Sequence, residues 1–149
     1  MDRIAESAPP GSGWLAFLPW LHGERAPAES NDLRGGLPGF SITSGKGAII
    51  RAVPEGVAYN TRWLIETVRK FTGRKHPYLA MAGGGALLSL WSQTMADVLM
   101  IYFRDATGET MVQRRRSIQS SLQDKVGLLG FHLKNLTLIT GSSRSSLIA

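Results

Sequence analysis

The run Tyr78-Leu79-Ala80-Met81-Ala82 leads into Gly83-Gly84-Gly85-Ala86, and Leu87 to Leu99 then carries apolar side chains at helical spacing. A strand that ends in a bend without side chains and opens into a helix brings backbone N–H groups close to an anion. The helix start adds its partial positive charge. The chemistry is phosphate binding. The same glycines also make a tight strand-to-helix connection with no ligand, and the run has neither the G-x-G-x-x-G spacing of a dinucleotide fingerprint nor the Gly-Lys-Ser/Thr of a P-loop.

Two other clusters could do chemistry. Leu21-His22-Gly23-Glu24-Arg25-Ala26-Pro27 places an imidazole, a carboxylate and a guanidinium between an apolar run and a long loop, where binding residues tend to lie. Its structural alternative is a loop with Glu24 or Arg25 paired elsewhere. His22 has no second histidine near it, and His76 and His132 stand at spacings unlike those of metal ligands, so no metal site is expected. Arg114-Arg115-Arg116 has no interleaved aromatics and a serine-rich neighbourhood, which suits a solvated basic tail better than a nucleic-acid reader. Ser41, Ser89 and Ser92 lack the context of a nucleophile elbow, so no catalytic residue is assigned.

The composition narrows the classes further. The chain has 149 residues, 43% hydrophobic and 19% charged, and no cysteine. One domain with a core is expected, without disulfides, thiolate metal sites or a cysteine nucleophile. Charges of both signs crowd Met1 to Glu6, unlike a signal peptide, and the most apolar window, Tyr78 to Trp91, is broken by glycines and too short to span a bilayer. A cytoplasmic protein with no membrane partner is expected. The net charge of +6 divides as −2 over residues 1–40, +4 over 41–99 and +4 over 100–149. Such an excess attracts phosphate-bearing partners, whether nucleotide or nucleic acid.

The elements that would position these residues follow from pattern. Residues 1–13, with Pro9, Pro10, Gly11 and Gly13, read as a turn or a frayed, flexible end. Trp14 to Leu21 is apolar on both faces, as a buried strand is, and Pro19 confines it to an edge or ends it. Residues 22–47 read as a long surface loop. Ile49, Ile50, Val53, Val57, Leu64, Ile65, Val68 and Phe71 recur at three and four, which predicts an amphipathic helix over 48–71 ended by Gly73. Pro54 predicts a kink there, or a helix that starts near residue 53. A buried strand at 78–82, the glycine turn and a helix over 87–99 complete an α/β unit. Strands at 99–103 and 110–112 would flank a turn at Asp105 to Glu109, and the end of the chain, with Ser142 to Ser146, reads as a disordered tail.

In order, these pieces resemble the C-terminal domain of the FGGY carbohydrate kinases, in particular their xylulokinase-like branch. The matching blocks are Phe17 to Pro27, Arg34-Gly35-Gly36, Arg51 to Leu64, and Gly83 to Ala86 continued through Leu90-Trp91-Ser92-Gln93 and Ala96 to Leu99. The resemblance implies an α/β fold, a partial actin-like, ribonuclease-H-like ATPase domain over residues 14–99, with an unrelated or divergent tail over 100–149. It implies ATP, with Mg in the intact enzyme, as phosphate donor to a sugar such as xylulose. It also implies Gly83, Gly84, Gly85, Ala86 and Ser89 as the nucleotide-contacting residues. Leu88 stands where the family has a small polar residue that caps the helix, and Ser89, one residue later, is its expected substitute. The family's sugar site and catalytic aspartate belong to a domain not recognisable here. The expectation is therefore a fragment of a sugar kinase, inactive alone, that leaves apolar surface near Trp14, Phe17 and Trp20 open to self-association or to the missing domain. The alternative is a basic nucleic-acid-binding or non-catalytic interaction module.

Overall fold

The structure, a computed structural model, describes residues 2–104 and the strand at 110–112. In chain order it runs through helix α1 (Asp2–Glu6), a 3-10 turn (Ser12–Trp14), helix α2 (Lys46–Thr72), strand β1 (Tyr78–Ala80), a second 3-10 turn (Gly84–Leu87), helix α3 (Ser89–Leu99) and strands β2 (Tyr102–Arg104) and β3 (Thr110–Val112). β1 pairs parallel with β2, Tyr78 opposite Tyr102 and Leu79 opposite Phe103. β2 pairs antiparallel with β3, as a hairpin around the expected turn requires. That turn, 105–109, lies outside the described residues, as do Arg114 to Arg116, His132 and the serine-rich end.

The β1–α3–β2 crossover is the α/β unit, and its core is the contact between α3 and α2. Ala58 and Tyr59 of α2 meet Met95, Ala96, Val98 and Leu99 of α3, with Ile101 and Phe103 beneath. Packing therefore runs past the expected limit at Leu99. β1 is less covered than a buried strand, for Tyr78 and Ala80 are exposed and only Leu79 turns toward the core. The Arg104 guanidinium lies 4.2 Å from the centre of the Tyr78 ring and covers part of that exposed face.

α2 is one helix of 27 residues from Lys46, without a later start near residue 53, and Pro54 sits inside it. It ends where expected: Gly73 takes φ +64° and its N–H donates to the Arg69 carbonyl at 2.9 Å. The buried face is not the aliphatic stripe. Arg51, Ala52, Glu55, Gly56, Ala58 and Tyr59 are buried, whereas Val53 and Val68 are about 40% exposed and Phe71 is 92% exposed. Small residues decide this, because they let other segments approach. A Cβ on Gly56 would run into the Phe17 carbonyl, and one on Gly47 would stand 2.5 Å from the Ser7 hydroxyl.

The N-terminus is not frayed. α1 buries Ala5, and a buried ion pair on α2 holds the chain that follows. Arg51 Nε donates to Glu55 Oε1 at 3.0 Å and Arg51 Nη1 donates to the Ala8 carbonyl at 3.1 Å. The Glu55 carboxylate also accepts from the Gly11 N–H and the Ser12 hydroxyl, both at 2.8 Å. Both Glu55 oxygens and two of the Arg51 guanidinium nitrogens have partners, which offsets the cost of burying the pair.

Trp14 to Leu21 forms no strand. The segment pairs with the loop only through Ala16 N–H to the Pro38 carbonyl and isolated bridges of Leu18 with Gly36 and Leu21 with Gly23, among the described residues. Leu15, Leu18 and Trp20 turn inward, while Trp14 and Leu21 remain more than 60% exposed. The open apolar surface expected at Trp14, Phe17 and Trp20 is thus Trp14 with a half-buried Phe17; Trp20 is 1% exposed.

Candidate functional site

The three glycines are glycine for three different reasons. Gly83 takes φ +89°, a conformation that side chains resist. Gly85 packs against Trp91: a Cβ there would lie 3.2 Å from the indole Nε1. Gly84 has neither constraint. Its φ lies outside the left-handed range, and a Cβ on it would meet nothing within 4 Å. Local structure does not explain why this position lacks a side chain.

The backbone of the bend faces outward. Gly83 and Gly84 are exposed, and Ala86 and Leu88 have spent their N–H groups on the Gly83 and Gly85 carbonyls at 3.1 and 3.2 Å. Gly84 and Gly85 open the 3-10 turn, so their N–H groups have no acceptor inside it. α3 follows at once. Leu88 caps it with no side-chain hydrogen bond, and its first amides are left for an outside acceptor.

Ser89 is the first residue of α3, exposed, and supplies no cap. The serine that matters to the turn is Ser92. Buried at 1% exposure, it donates to the Ala86 carbonyl at 3.3 Å and so ties the bend to the helix. Its place on the inward face of α3, one turn after Ser89, was the available signal. Near the turn lies a largely apolar cleft of about 300 Å³ among α1, α2 and α3, walled by Ile50, Val53, Leu88 and Trp91, with Ala5 and the acidic Asp2 of α1 on its remaining side. Trp91 is common to the cleft and to the floor beneath Gly85.

The Leu21 to Pro27 segment is a clasp. Glu24 accepts from Asn60 Nδ2 at 2.7 Å and from the Arg25 and Ala26 N–H groups at 2.8 and 3.2 Å, and Asn60 accepts from Trp20 Nε1 at 3.1 Å. The carboxylate is consumed in fixing the loop to α2 through hydrogen bonds. His22 and Arg25 are exposed, and among the described residues no three His, Asp or Glu side chains gather as a metal site. No helix there is long and apolar enough to cross a membrane.

The glycine bend at the end of β1 is thus open to solvent and stands at the start of a helix without a side-chain cap. Residues 1–104 match the model of the C-terminal domain of the FGGY family of carbohydrate kinases. The chain belongs to that family. Over 98 residues it is 35% identical to the gluconokinase of Bacillus subtilis (strain 168), an overlap of 66% of this chain and 19% of that protein. Over 102 residues it is 33% identical to a xylulose kinase of Staphylococcus epidermidis, 68% of this chain and 20% of that protein. The chain thus spans about a fifth of the length of the curated relatives it matches. It superposes on the ligand-bound xylulose kinase of Lactobacillus acidophilus with a TM-score of 0.78 at 22% identity, covering 95% of this chain and 34% of that one. The fold is the actin-like ATPase fold of the FGGY sugar kinases, and the described residues are part of its C-terminal domain.

Proposed function

We propose that this FGGY domain is the nucleotide-binding wall of an ATP-dependent carbohydrate kinase, with Gly83 to Ala86 and the start of α3 against the phosphates and the ring of the base in the cleft of Ile50, Leu88 and Trp91. The observation that carries this is Gly84, an exposed glycine without a conformational or packing reason, on a bend whose Gly84 and Gly85 amides have no acceptor within the turn. Carbohydrate kinases of this family take phosphate from ATP, generally with Mg. The residues present fit the nucleotide: amides for anionic oxygens, and a largely apolar cleft for a flat ring. Ser89, at the first turn of α3, is placed to contact the sugar or phosphate of the nucleotide.

ATP when bound supplies the transferable phosphoryl group and, with its Mg, neutralises the charge that develops during transfer. The chain's own part is to hold and orient: the amides of Gly84 and Gly85 fix the phosphate end, and Trp91 fixes the floor beneath them. Xylulose is the acceptor we favour, as a carbohydrate whose kinase this chain resembles, and the cytoplasm is where we place the reaction. Positioning alone does not transfer phosphate, because the acceptor hydroxyl also needs a base and a sugar site. The 149-residue chain alone should therefore bind Mg-ATP and leave xylulose unphosphorylated. Calorimetry with Mg-ATP, alongside a coupled assay for ADP release, tests both halves. No saturable binding at millimolar ATP removes the nucleotide reading, and xylulose-dependent ADP release shows that one wall suffices.

A further inference from the structure

At the other end of β1 from the glycine turn, a second cavity of about 510 Å³ opens where α2 ends and α3 hands over to β2. Arg69, Lys70, Arg74, Lys75 and His76 line it beside Met100, and no carboxylate is among the described residues that do. The neighbouring carboxylate on the same helix, Glu66, is already held by Arg62 at 2.9 Å. Arg69 Nε is buried with no hydrogen-bond partner among the described residues. No hydrogen bond or ion pair among the described residues engages the side chain of Lys70, Arg74 or Lys75, while the Arg74 N–H donates to the Thr72 hydroxyl at 3.3 Å.

Basic residues at helix ends often do no more than balance the dipole, so the charges must be compared. The cavity receives the C-termini of α2, at Gly73, and of α3, at Met100. Each helix end contributes about half a negative charge. Arg69, Lys70, Arg74 and Lys75 carry four permanent positive charges. Among the described residues about three remain uncompensated, in a concavity whose volume falls within the roughly 300–1,000 Å³ of small-ligand sites. Arg69 lines this concavity, although its Nε is itself closed to solvent.

We propose that this cavity is an anion site for a small ligand bearing two or more phosphate groups, separate from the nucleotide-facing turn. Multiple phosphates are favoured over one because the cationic groups come from two directions, Arg69 and Lys70 on the last turn of α2 and Arg74 and Lys75 on the chain leading into β1. The proposal does not depend on the kinase reading.

The test uses the full chain with sodium tripolyphosphate as probe, measured by calorimetry at fixed ionic strength. Lys70, Arg74 and Lys75 are exposed, so the variant carrying K70Q, R74Q and K75Q should keep the fold, as circular dichroism would confirm. One saturable equivalent is expected at the cavity, weakened on the order of tenfold or more in the triple variant and unchanged in Gly84→Asp, which repels anions from the turn alone. Should the triple variant misfold, Lys75→Gln alone should still weaken the probe about threefold. Equal affinity in wild type and triple variant overturns the proposal, as does loss of the probe in Gly84→Asp. A single-stranded oligonucleotide that binds far more tightly than tripolyphosphate and is lost in the triple variant also overturns it, by assigning the patch to a nucleic-acid backbone.

Discussion

Gly84→Ala separates a glycine kept for a ligand from one kept for the fold. The added methyl meets nothing within 4 Å and demands no left-handed backbone. Losing the extra freedom of glycine in the unfolded chain should then stabilise the protein by about 0.4–1 kcal/mol, or raise Tm by roughly 1–4 °C for a domain of this size. If the Gly84 and Gly85 amides grip a nucleotide, the same methyl stands where the phosphate must come. Loss of one hydrogen bond to a charged group costs about 1.5–3 kcal/mol, or about 10–150-fold in affinity. Stability and binding therefore move in opposite directions. The neighbours supply the contrast: Gly83→Ala forces a side chain to φ +89° and should lose about 1 kcal/mol or more of stability, and Gly85→Ala presses on Trp91. Differential scanning fluorimetry and Mg-ATP calorimetry on the three variants read both quantities. A Gly84→Ala protein that is at least as stable as wild type and binds Mg-ATP equally well refutes the reasoning, because the open space over the bend would then serve no ligand.

Two further outcomes concern the fold. Gly56→Ala, inside α2, should gain about 1 kcal/mol on helix propensity alone, yet its Cβ would run into the Phe17 carbonyl, so urea denaturation should show a net loss; a gain would mean that the Phe17 segment moves aside freely. Tyr59 is buried, its hydroxyl has no partner among the described residues, and burial, reinforced by the Glu55 charge, raises its pKa well above the ordinary 10. The folded state thus favours the neutral phenol, a contribution that is complete below about pH 10 and lost as pH rises through the folded pKa, with a slope of at most about 1.4 kcal/mol per pH unit. Tyr59→Phe should be as stable as wild type at pH 7 and less sensitive between pH 10 and 11; a variant destabilised at pH 7 would reveal a partner for the hydroxyl.

The long-period features were legible and the close contacts were not. The extent of α2 and its end at Gly73 follow from spacing and one glycine, and the strand, bend and helix at 78–99 follow from the switch between two patterns. The buried face of α2 was misjudged because hydropathy gives weight to Ile49, Val53 and Val68, whereas approach distance favours Ala52, Gly56 and Ala58. Arg51 and Glu55 stand at i and i+4, the spacing of ordinary exposed helix pairs. Only the arrival of Gly11 and Ser12, more than forty residues away in sequence, turns them into a buried clamp. Nothing local signals such a contact. The same limit explains Trp14 to Leu21: an apolar run states that a segment is buried, not that it has a strand to pair with.

Charge and glycines, both read from the sequence as signs of phosphate, lie at opposite ends of β1. Four of the seven basic residues between 41 and 99 line the cavity at the end of α2, and residues 81–96, which contain the turn and most of α3, contain no charged side chain at all. An anion at the bend, as proposed, would be held by amides and the helix start. Fixed dipoles at short range are screened little by salt, while exposed lysines and arginines lose much of their reach at 0.15 M, where the Debye length is about 8 Å. Raising ionic strength should therefore weaken tripolyphosphate at the cavity far more than Mg-ATP at the turn. A similar fall for both would mean that the nucleotide leans on the same cations, and the two ends of β1 would have to be treated as one site.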